Sequence, residues 1–385
     1  MKTLFTLMFT VVFVFTVSAQ TAEVPSGGRG RIPYSIEKWE HLLWLSQNPD
    51  KWGSNFIQTA DITFPRDVVT WDRYKGMIPI GNTNTPFTGS YDGKGHKVTF
   101  VFIDRDVDCV GFFGKTDDAL IKNLTVQGRV RGSVYAGMLC GSLNNSVVEN
   151  CATLGSVECW GQRGEAGGFV GRNLKASRIE NCFNRCDVEV VDYQEGIAGG
   201  FVAYNNNSNI AFSYSTGLVS DVWRHTGGFV GLAENSAGLF SRNFYDAAAS
   251  GQNDNVGAMP KTSAEMQDQA TYSGWDFTSV WQIDPTENDG YPYFAPLTTS
   301  LAAPEVGSGS KLYGVCAFPN PFKEVLNFQG DVVKVLVINA LGQTVVSMEL
   351  LGQKHLNTSN LGSGIYVLEA TFSDGSVIKQ KLLKQ

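Results

Sequence analysis

Short apolar phrases rich in glycine recur along the middle of the chain. "VGFFG" ends at Gly114, "GMLCG" at Gly141, "GGFVG" at Gly171, "GGFVA" at Ala203 and "GGFVG" at Gly231, in steps of 27, 30, 32 and 28 residues. A second apolar phrase follows each one, for example "IENCFNRCDV". A fixed period in this range is the sequence signature of a solenoid.

The apolar runs are short and rich in β-branched and aromatic residues, and glycine and asparagine interrupt them. This pattern predicts strands and turns rather than helices. One period is long enough for about three short strands, which make one coil of a parallel β-helix. Successive coils would stack at the ordinary interstrand spacing of about 4.8 Å. The predicted fold class is therefore all-β, with a β-solenoid as the main domain.

Equivalent residues of stacked coils should form ladders. Two apolar ladders are predicted, Phe113, Cys140, Val170, Val202 and Val230 beside Phe112, Leu139, Phe169, Phe201 and Phe229. Neighbouring residues of a strand face opposite ways, so one ladder should point outward unless the chain bends there. The repeat glycines Gly114, Gly141, Gly171 and Gly231 mark corners. Asn123, Asn150 and Asn181 form a polar ladder at another corner, structural in our interpretation and ligand-binding in the alternative.

The flanks of the repeats carry helix signals. "SIEKWEHLLWLS" predicts an amphipathic helix with Ser35 as N-cap and Glu37 in its first turn, covering the first coil. Thr262 and Glu265 form a capping-box pattern. We expect the aromatic side chains that follow to cover the last coil, with a ligand pocket there as the alternative: Trp275, Phe277, Trp281, Tyr291 and Tyr293.

The repeats resemble the GLUG repeat of bacterial surface proteins. The resemblance rests on the GGFVG-type phrases followed by "NCxxxGxV"-like phrases, and it covers roughly Thr59 to Phe294. Ala203 departs from the pattern, and Cys186 stands where Gly128, Gly155 and Gly217 stand. The resemblance implies the fold, whereas its function is open because such repeats accompany adhesins and enzymes alike.

The C-terminal residues resemble the type A sorting domain of the type IX secretion system. The matching features are Pro-Asn-Pro at 319–321, "ALGQ" at 340–343, "SGIY" at 363–366 and Lys384 near the end. The resemblance implies a small Ig-like β-sandwich, recognition by the type IX machinery and export across the outer membrane. The alternative is an ordinary Ig-like binding module.

The predicted organisation has five parts. Residues 1–19 are a signal peptide, 20–58 an N-terminal segment with the covering helix, 59–294 the GLUG-like β-helix with its closing segment, 295–315 a linker and 316–385 the sorting domain. The signal peptide is indicated by Lys2, an apolar stretch and the small residues Val17-Ser18-Ala19. Its apolar run is short for the alternative, a membrane anchor. We expect no transmembrane segment in the mature chain, which is then secreted or held at the outer-membrane surface.

The formal charge of −7, without a basic stripe, argues against nucleic acid and anionic lipid as partners. Seven cysteines occur at irregular spacing without a CxxC pair. Cys151 and Cys182 share a repeat position, and we expect stacked free thiols there rather than a disulfide.

No catalytic motif is present, because the chain has no HExxH, GxSxG or P-loop phrase. We assign no catalytic residue, metal ligand or cofactor, although calcium at "DGKGHK" (92–97) is an alternative. A carbohydrate-active enzyme is the alternative function. Its candidate residues precede the glycine phrases: Glu158, Arg163, Glu165, Asp187, Glu189, Asp192, Glu195, Asp221, Arg224 and His225.

The same stretches carry Tyr135, Trp160, Tyr193 and Trp223. An aromatic row on a rigid β surface stacks on sugar rings or anchors a protein partner. The sequence therefore predicts a non-catalytic, adhesive or ligand-binding protein whose ligand is a glycan or a host or neighbouring-cell surface. A purely structural role at the cell surface is the third interpretation.

Overall fold

The computed structural model describes residues 21–30, 32–191, 195–220, 225–297, 317–318, 322–328, 332–339, 344–350, 352–373 and 377–384. The chain forms two compact units, Met1–Thr299 and Ser300–Gln385. The predicted signal peptide, most of the predicted linker and the residues Tyr193, Trp223 and Cys316 lie outside the described ranges.

The first unit is a right-angled stack of parallel strands in four sheets, which confirms the β-solenoid. Sheet A consists of Tyr34–Ile36, Asn55–Gln58, Ser90–Asp92, Leu120–Lys122, Val147–Glu149, Arg178–Glu180, Asn209–Ala211 and Phe240–Ser241. Sheet B consists of Ile62–Thr63, Lys97–Arg105, Thr125–Gly132, Ala152–Cys159, Phe183–Val190, Tyr214–Ser215, Phe244–Asp246 and Met259–Lys261. Sheet C consists of Phe113–Asp117, Cys140–Asn144, Val170–Leu174, Val202–Asn206 and Val230–Glu234. Sheet D consists of Cys109–Val110, Tyr135–Gly137, Glu165–Gly167, Ile197–Gly199 and His225–Gly227.

Each of the five coils runs through sheets D, C, A and B in that order, so a coil has four strands and the expected three is wrong. The glycine-rich phrase contains a bend between its sheet D and sheet C strands. Because of this bend, Phe169 and Val170 are both fully buried, although neighbours on one straight strand would face opposite ways. Both predicted ladders therefore line the interior. The rings of Phe169, Phe201 and Phe229 stack at centroid distances of 4.6 and 4.7 Å.

The predicted asparagine ladder forms the corner between sheets A and B. Asn123, Asn150 and Asn181 have φ of 54°, 53° and 53°, in the left-handed region that asparagine tolerates. Asn150 Nδ2 donates to Asn123 Oδ1 at 3.1 Å, so the side chains also bond along the stack.

The next ladder residue caps the coil before it. Cys182 Sγ accepts the backbone N–H of Cys151, and Ser213 Oγ accepts the backbone N–H of Cys182. The cysteines thus take the place of a serine, which explains why they stack as free thiols. All six cysteines of the described residues are free and buried.

The N-terminal helix is present but begins later than predicted. Ser35 lies in the strand Tyr34–Ile36 and is not the N-cap, because the helix spans Trp39–Gln47 with Lys38 at its N-cap. Strand pairing of Tyr34–Ile36 with Phe56–Gln58 extends sheet A by one more coil and displaces the helix start. Leu42, Leu43 and Leu45 of the helix are buried in the apolar cluster that fills the solenoid.

The closing segment, residues 262–294, covers the side of the stack rather than its end, which corrects our expectation. Its short elements are Ser263–Met266, Gln269–Thr271, Asn288–Gly290 and an antiparallel pair, Trp281–Gln282 with Tyr293–Phe294. Trp275, Trp281 and Tyr291 pack on outward ring side chains of sheet B, in a cluster separate from the solenoid interior. The predicted capping box at Thr262 and Glu265 is confirmed.

Short helical elements complete the first unit: Pro49–Lys51, Arg66–Thr70, Trp71–Tyr74 and Ala247–Ser250. Among the described residues, no helix has the length and apolarity needed to cross a membrane.

The second unit contains two small antiparallel sheets. One joins Ala317–Phe318, Val325–Phe328 and His355–Asn357, and the other joins Val332–Asn339, Thr344–Glu349, Gly364–Phe372 and Val377–Lys384. Residues of both sheets share one apolar cluster that includes Leu326, Leu356, Val335 and Leu368. The all-β prediction is confirmed for this unit, whereas the Ig-like sandwich stays a prediction.

Candidate functional site

Sheets C and D meet at an angle and leave a groove on the outside of the solenoid. Their backbones approach closely at the repeat glycines, where no side chain fits between them. A Cβ on Gly171 would lie 3.0 Å from the backbone nitrogen of Ala136, and one on Gly231 would lie 2.6 Å from the carbonyl oxygen of Ala198. These glycines are therefore required by close packing, as their corner positions predicted.

Two ladders of outward side chains line the groove along all five coils. Strand register places Cys109, Tyr135, Glu165, Ile197 and His225 on the sheet D wall. It places Lys115, Ser142, Arg172, Tyr204 and Leu232 on the sheet C wall. We call this surface the groove.

Arg172 connects the two walls at the centre of the groove. Its Nε donates to Glu165 Oε2 at 2.5 Å, and its Nη2 donates to the other carboxylate oxygen. Its guanidinium lies flat over the ring of Tyr135, with Cζ 3.8 Å from the ring centroid, and 5.3 Å from the centroid of Tyr204. A bidentate pair between two rings holds the guanidinium in one orientation.

Tyr204 and Glu234 continue the polar surface toward the last coil. Tyr204 Oη donates to Glu234 Oε2 at 2.6 Å and accepts from Asn206 Nδ2 at 2.8 Å. We call Tyr135, Glu165, Arg172, Tyr204 and Glu234 the groove cluster.

The protonation states of the cluster follow from these contacts. Burial opposes the charge on Arg172, but the hydrogen bonds and charge of Glu165 outweigh it, so the pKa of Arg172 is raised. Burial and then the hydrogen bond to Glu234 raise the pKa of Tyr204. At neutral pH the groove therefore presents a fixed guanidinium and a neutral phenol.

The structure separates the predicted aromatic residues. Tyr135 lies in the groove, at the same register position as Glu165. Trp160 follows sheet B, its backbone N–H bonds the carbonyl of Gly132, and its side chain is exposed. Tyr193 and Trp223 lie outside the described residues. The aromatic strip as a whole remains a prediction.

Arg172, Tyr204 and Glu234 were missed by the sequence analysis, which searched the stretches before each glycine phrase. A signal was available, because Arg172 and Tyr204 each follow directly after the last residue of a phrase, Gly171 and Ala203. That position points outward into the groove in every coil.

Most of the other candidate charges are engaged on the outer face of sheet B. Arg131 bonds both Asp104 and Glu158, and Arg129 bonds the second oxygen of Glu158. The hydrogen bond from Arg131 is the main cause that lowers the pKa of Glu158. Asp187 and Glu189 line an adjacent cleft of about 350 Å³.

The remaining candidates lie apart from this face. Arg163 pairs with Glu195, and His225 lies on the sheet D wall of the groove. Asp192, Asp221 and Arg224 lie outside the described residues.

Two other predicted alternatives have a place in the structure. A cleft of about 130 Å³ lies where Asn123 and Asn150 face Phe294 and Leu297 of the closing region. Asp92 of the "DGKGHK" turn is bonded by Asn123 and by the backbone of Lys94, and the Lys94 ammonium lies 3.1 Å from its Oδ2. Within the described ranges, no group of three or more histidine, cysteine or acidic residues is arranged to hold a metal ion.

Comparisons with known proteins identify only parts of the chain. Halomucin of Haloquadratum walsbyi is 31% identical over 161 residues, 40% of this chain and 2% of that protein. A "Putative Gly-rich membrane protein" of Evansella cellulosilytica is 30% identical over 152 residues, 39% of this chain and 14% of that protein. Beta-agarase D of Zobellia galactanivorans is 37% identical over 67 residues, 17% of this chain and 14% of that protein. The matches thus span a small share of each relative's length.

Among solved structures, a "putative immunoglobulin A1 protease" from Bacteroides ovatus is similar at a TM-score of 0.49 and 18% identity, covering 71% of this chain and 95% of that one. Residues 316–385 match the family model of the secretion system C-terminal sorting domain. The tail predicted from the sequence is thereby supported, whereas the GLUG assignment of the repeats stays a resemblance. The chain is accordingly a secreted or cell-surface protein that carries a β-solenoid and a C-terminal sorting domain for type IX secretion.

Proposed function

We propose that the protein is a non-catalytic, adhesive ligand-binding solenoid that the type IX machinery delivers, through residues 316–385, to the cell surface or the medium. The observation that carries this proposal is the groove cluster. It combines flat rings, a fixed guanidinium and hydrogen-bonding oxygens on two sheets whose strands are paired along the whole stack. Such a preorganised surface loses little side-chain freedom when a ligand binds.

The state of Glu165 favours binding over hydrolysis. Both of its oxygens accept hydrogen bonds from Arg172, so neither is free to pass a proton to a ligand. A hydrolytic pair of carboxylates needs one acid that can donate and a second group that acts as base or nucleophile. Glu158 is likewise engaged by Arg129 and Arg131.

Binding by the full chain to an immobilised panel of glycans and cell-surface proteins tests the proposal. We expect at least one ligand to be retained, and Arg172→Ala to weaken its binding by about tenfold, equivalent to about 1.4 kcal/mol. Arg131→Ala is the matched control, because Arg131 also bonds two groups but lies on sheet B outside the groove. Retention of no ligand, or equal loss in both variants, would contradict the proposal and leave a structural role.

A carbohydrate-active enzyme is the second candidate function. The similarity of 67 residues to beta-agarase D supports it, together with the charged cleft on sheet B. A reducing-sugar assay on the same polysaccharides tests it. Turnover that Glu165→Gln or Glu158→Gln abolishes would favour this candidate, and binding without turnover favours the first.

A further inference from the structure

We infer that the groove takes a neutral polysaccharide, whose sugar rings lie on the surface formed by Tyr135, Arg172 and Tyr204. The inference rests on the proposed binding function and names the class of its ligand. Three properties of the groove support it: its charge balance, the shape of its polar groups and the direction of its backbone hydrogen bonds.

The charges at the centre of the groove are compensated within the protein. Arg172 is paired with Glu165, and the phenol of Tyr204 already donates to Glu234. A polyanionic chain would meet two carboxylates there and would have to displace one of them from its partner, which costs free energy. Lys115 lies on the same wall, two coils away from Arg172. The centre of the groove thus favours an uncharged ligand.

The groove cluster has the mixed character that a sugar ring requires. A pyranose ring presents C–H groups on its faces and hydroxyl groups around its edge. The ring of Tyr204 and the outer side of the Arg172 guanidinium offer flat contact surfaces, while the oxygens of Glu234 and Glu165 accept hydrogen bonds from hydroxyl groups. Tyr135 supports Arg172 from the opposite wall, and its ring is half-buried.

The backbone of the groove walls has no groups to offer a peptide. Strands of sheets C and D pair along the stack, so their N–H and C=O groups point parallel to the solenoid axis and bond neighbouring coils. A protein segment that docks by strand addition needs an unpaired strand edge. The walls of the groove present side chains only, which suits a polymer that binds through its hydroxyl groups.

The groove also has the form of a track. Its walls repeat once per coil, at the interstrand spacing of about 4.8 Å, over five coils. A linear polymer that lies along this track meets several coils at once, whereas a compact ligand meets one or two. We therefore expect affinity to rise with the length of the oligosaccharide until the groove is filled.

Affinity electrophoresis of the full chain provides the test. The gels contain a neutral polysaccharide (agarose, laminarin or xylan), an acidic one (alginate or polygalacturonate) or gelatin as a polypeptide. We expect retardation in at least one neutral gel, little change in it between low and high salt, and a loss of about tenfold in affinity in Tyr204→Ala. Arg131→Ala should migrate like the wild type.

A second variant keeps the test valid if Arg172→Ala fails to fold. Arg172→Ala with Glu165→Ala removes both partners of the pair and leaves no buried charge, and it should also abolish retardation. Groove-dependent binding of alginate or gelatin, weakened by salt, would overturn the neutral-glycan inference while the proposed function stands. Absence of binding in every gel and on the panel would overturn both.

Discussion

At the scale of single residues, Phe201 holds the centre of the solenoid interior. Its ring is fully buried and stacks nearly parallel between Phe169 and Phe229. Phe201→Ala removes two ring contacts and leaves a cavity that the neighbouring coils cannot close. We expect a loss of about 3–5 kcal/mol in the free energy of unfolding, measured in urea. Phe100→Ala, at an exposed site, is the control and should change stability by about 0.5 kcal/mol or less.

Cys182 makes a second prediction at this scale. Its thiol accepts the buried N–H of Cys151, and burial raises its pKa well above the ordinary value, so the thiol stays protonated and unreactive in the folded protein. Ser213 does the same work one coil later. Cys182→Ser should therefore fold with near-normal thermal stability, whereas Cys182→Ala leaves the N–H unpaired and should cost about 1–3 kcal/mol. Equal stabilities of the two variants would refute this role of the sulfur.

At the scale of an element, the capping box of the helix Ser263–Met266 gives a pH-dependent prediction. The Thr262 N–H, together with the Lys261 ammonium, lowers the pKa of Glu265 from 4.5 to about 2. Because the folded pKa is the lower one, the stabilisation is present above pH 4.5 and is lost as the pH falls through 2. Glu265→Gln should therefore be less stable than the wild type at pH 6, and this difference should vanish near pH 2. Thermal unfolding across that range measures it, and a difference that does not depend on pH would contradict it.

The elements also show what the sequence could and could not predict. The ladders were predictable because register follows directly from the repeat, and every coil places the same residue at the same position. The bend inside the phrase "GGFVG" was not predictable, because glycine permits both an extended strand and a corner. The groove depends on that bend, which is why Arg172 and Tyr204 escaped the search. The helix start was misplaced because strand pairing with residues far along the chain decided the conformation of Ser35.

At the scale of the whole solenoid unit, two apolar clusters stabilise the fold separately. The first fills the interior of the coils, and the second joins the closing segment to the outer face of sheet B. Few links bind the two, among them the hydrogen bond of Arg185 to Asn288 at 2.7 Å and that of Tyr214 to the carbonyl of Pro292 at 2.5 Å. Repeat stacks depend mainly on contacts between neighbouring coils, so the coils do not need the closing segment to keep their own pairing.

Trp281 is the residue through which this separation can be measured. It is fully buried and lies 4.6 Å from Trp275 and 5.0 Å from Phe294 between ring centroids. Trp281→Ala should destabilise the closing segment by about 3–5 kcal/mol and let it detach before the coils unfold. We expect chymotrypsin to cleave this variant first within residues 262–297, while the fragment that contains the coils stays folded by circular dichroism. Trp160→Ala, an exposed tryptophan outside both clusters, should be cleaved like the wild type. Simultaneous cleavage throughout the coils of Trp281→Ala would mean that both clusters unfold as one cooperative unit, because loss of the side cover would then have destabilised the interior as well.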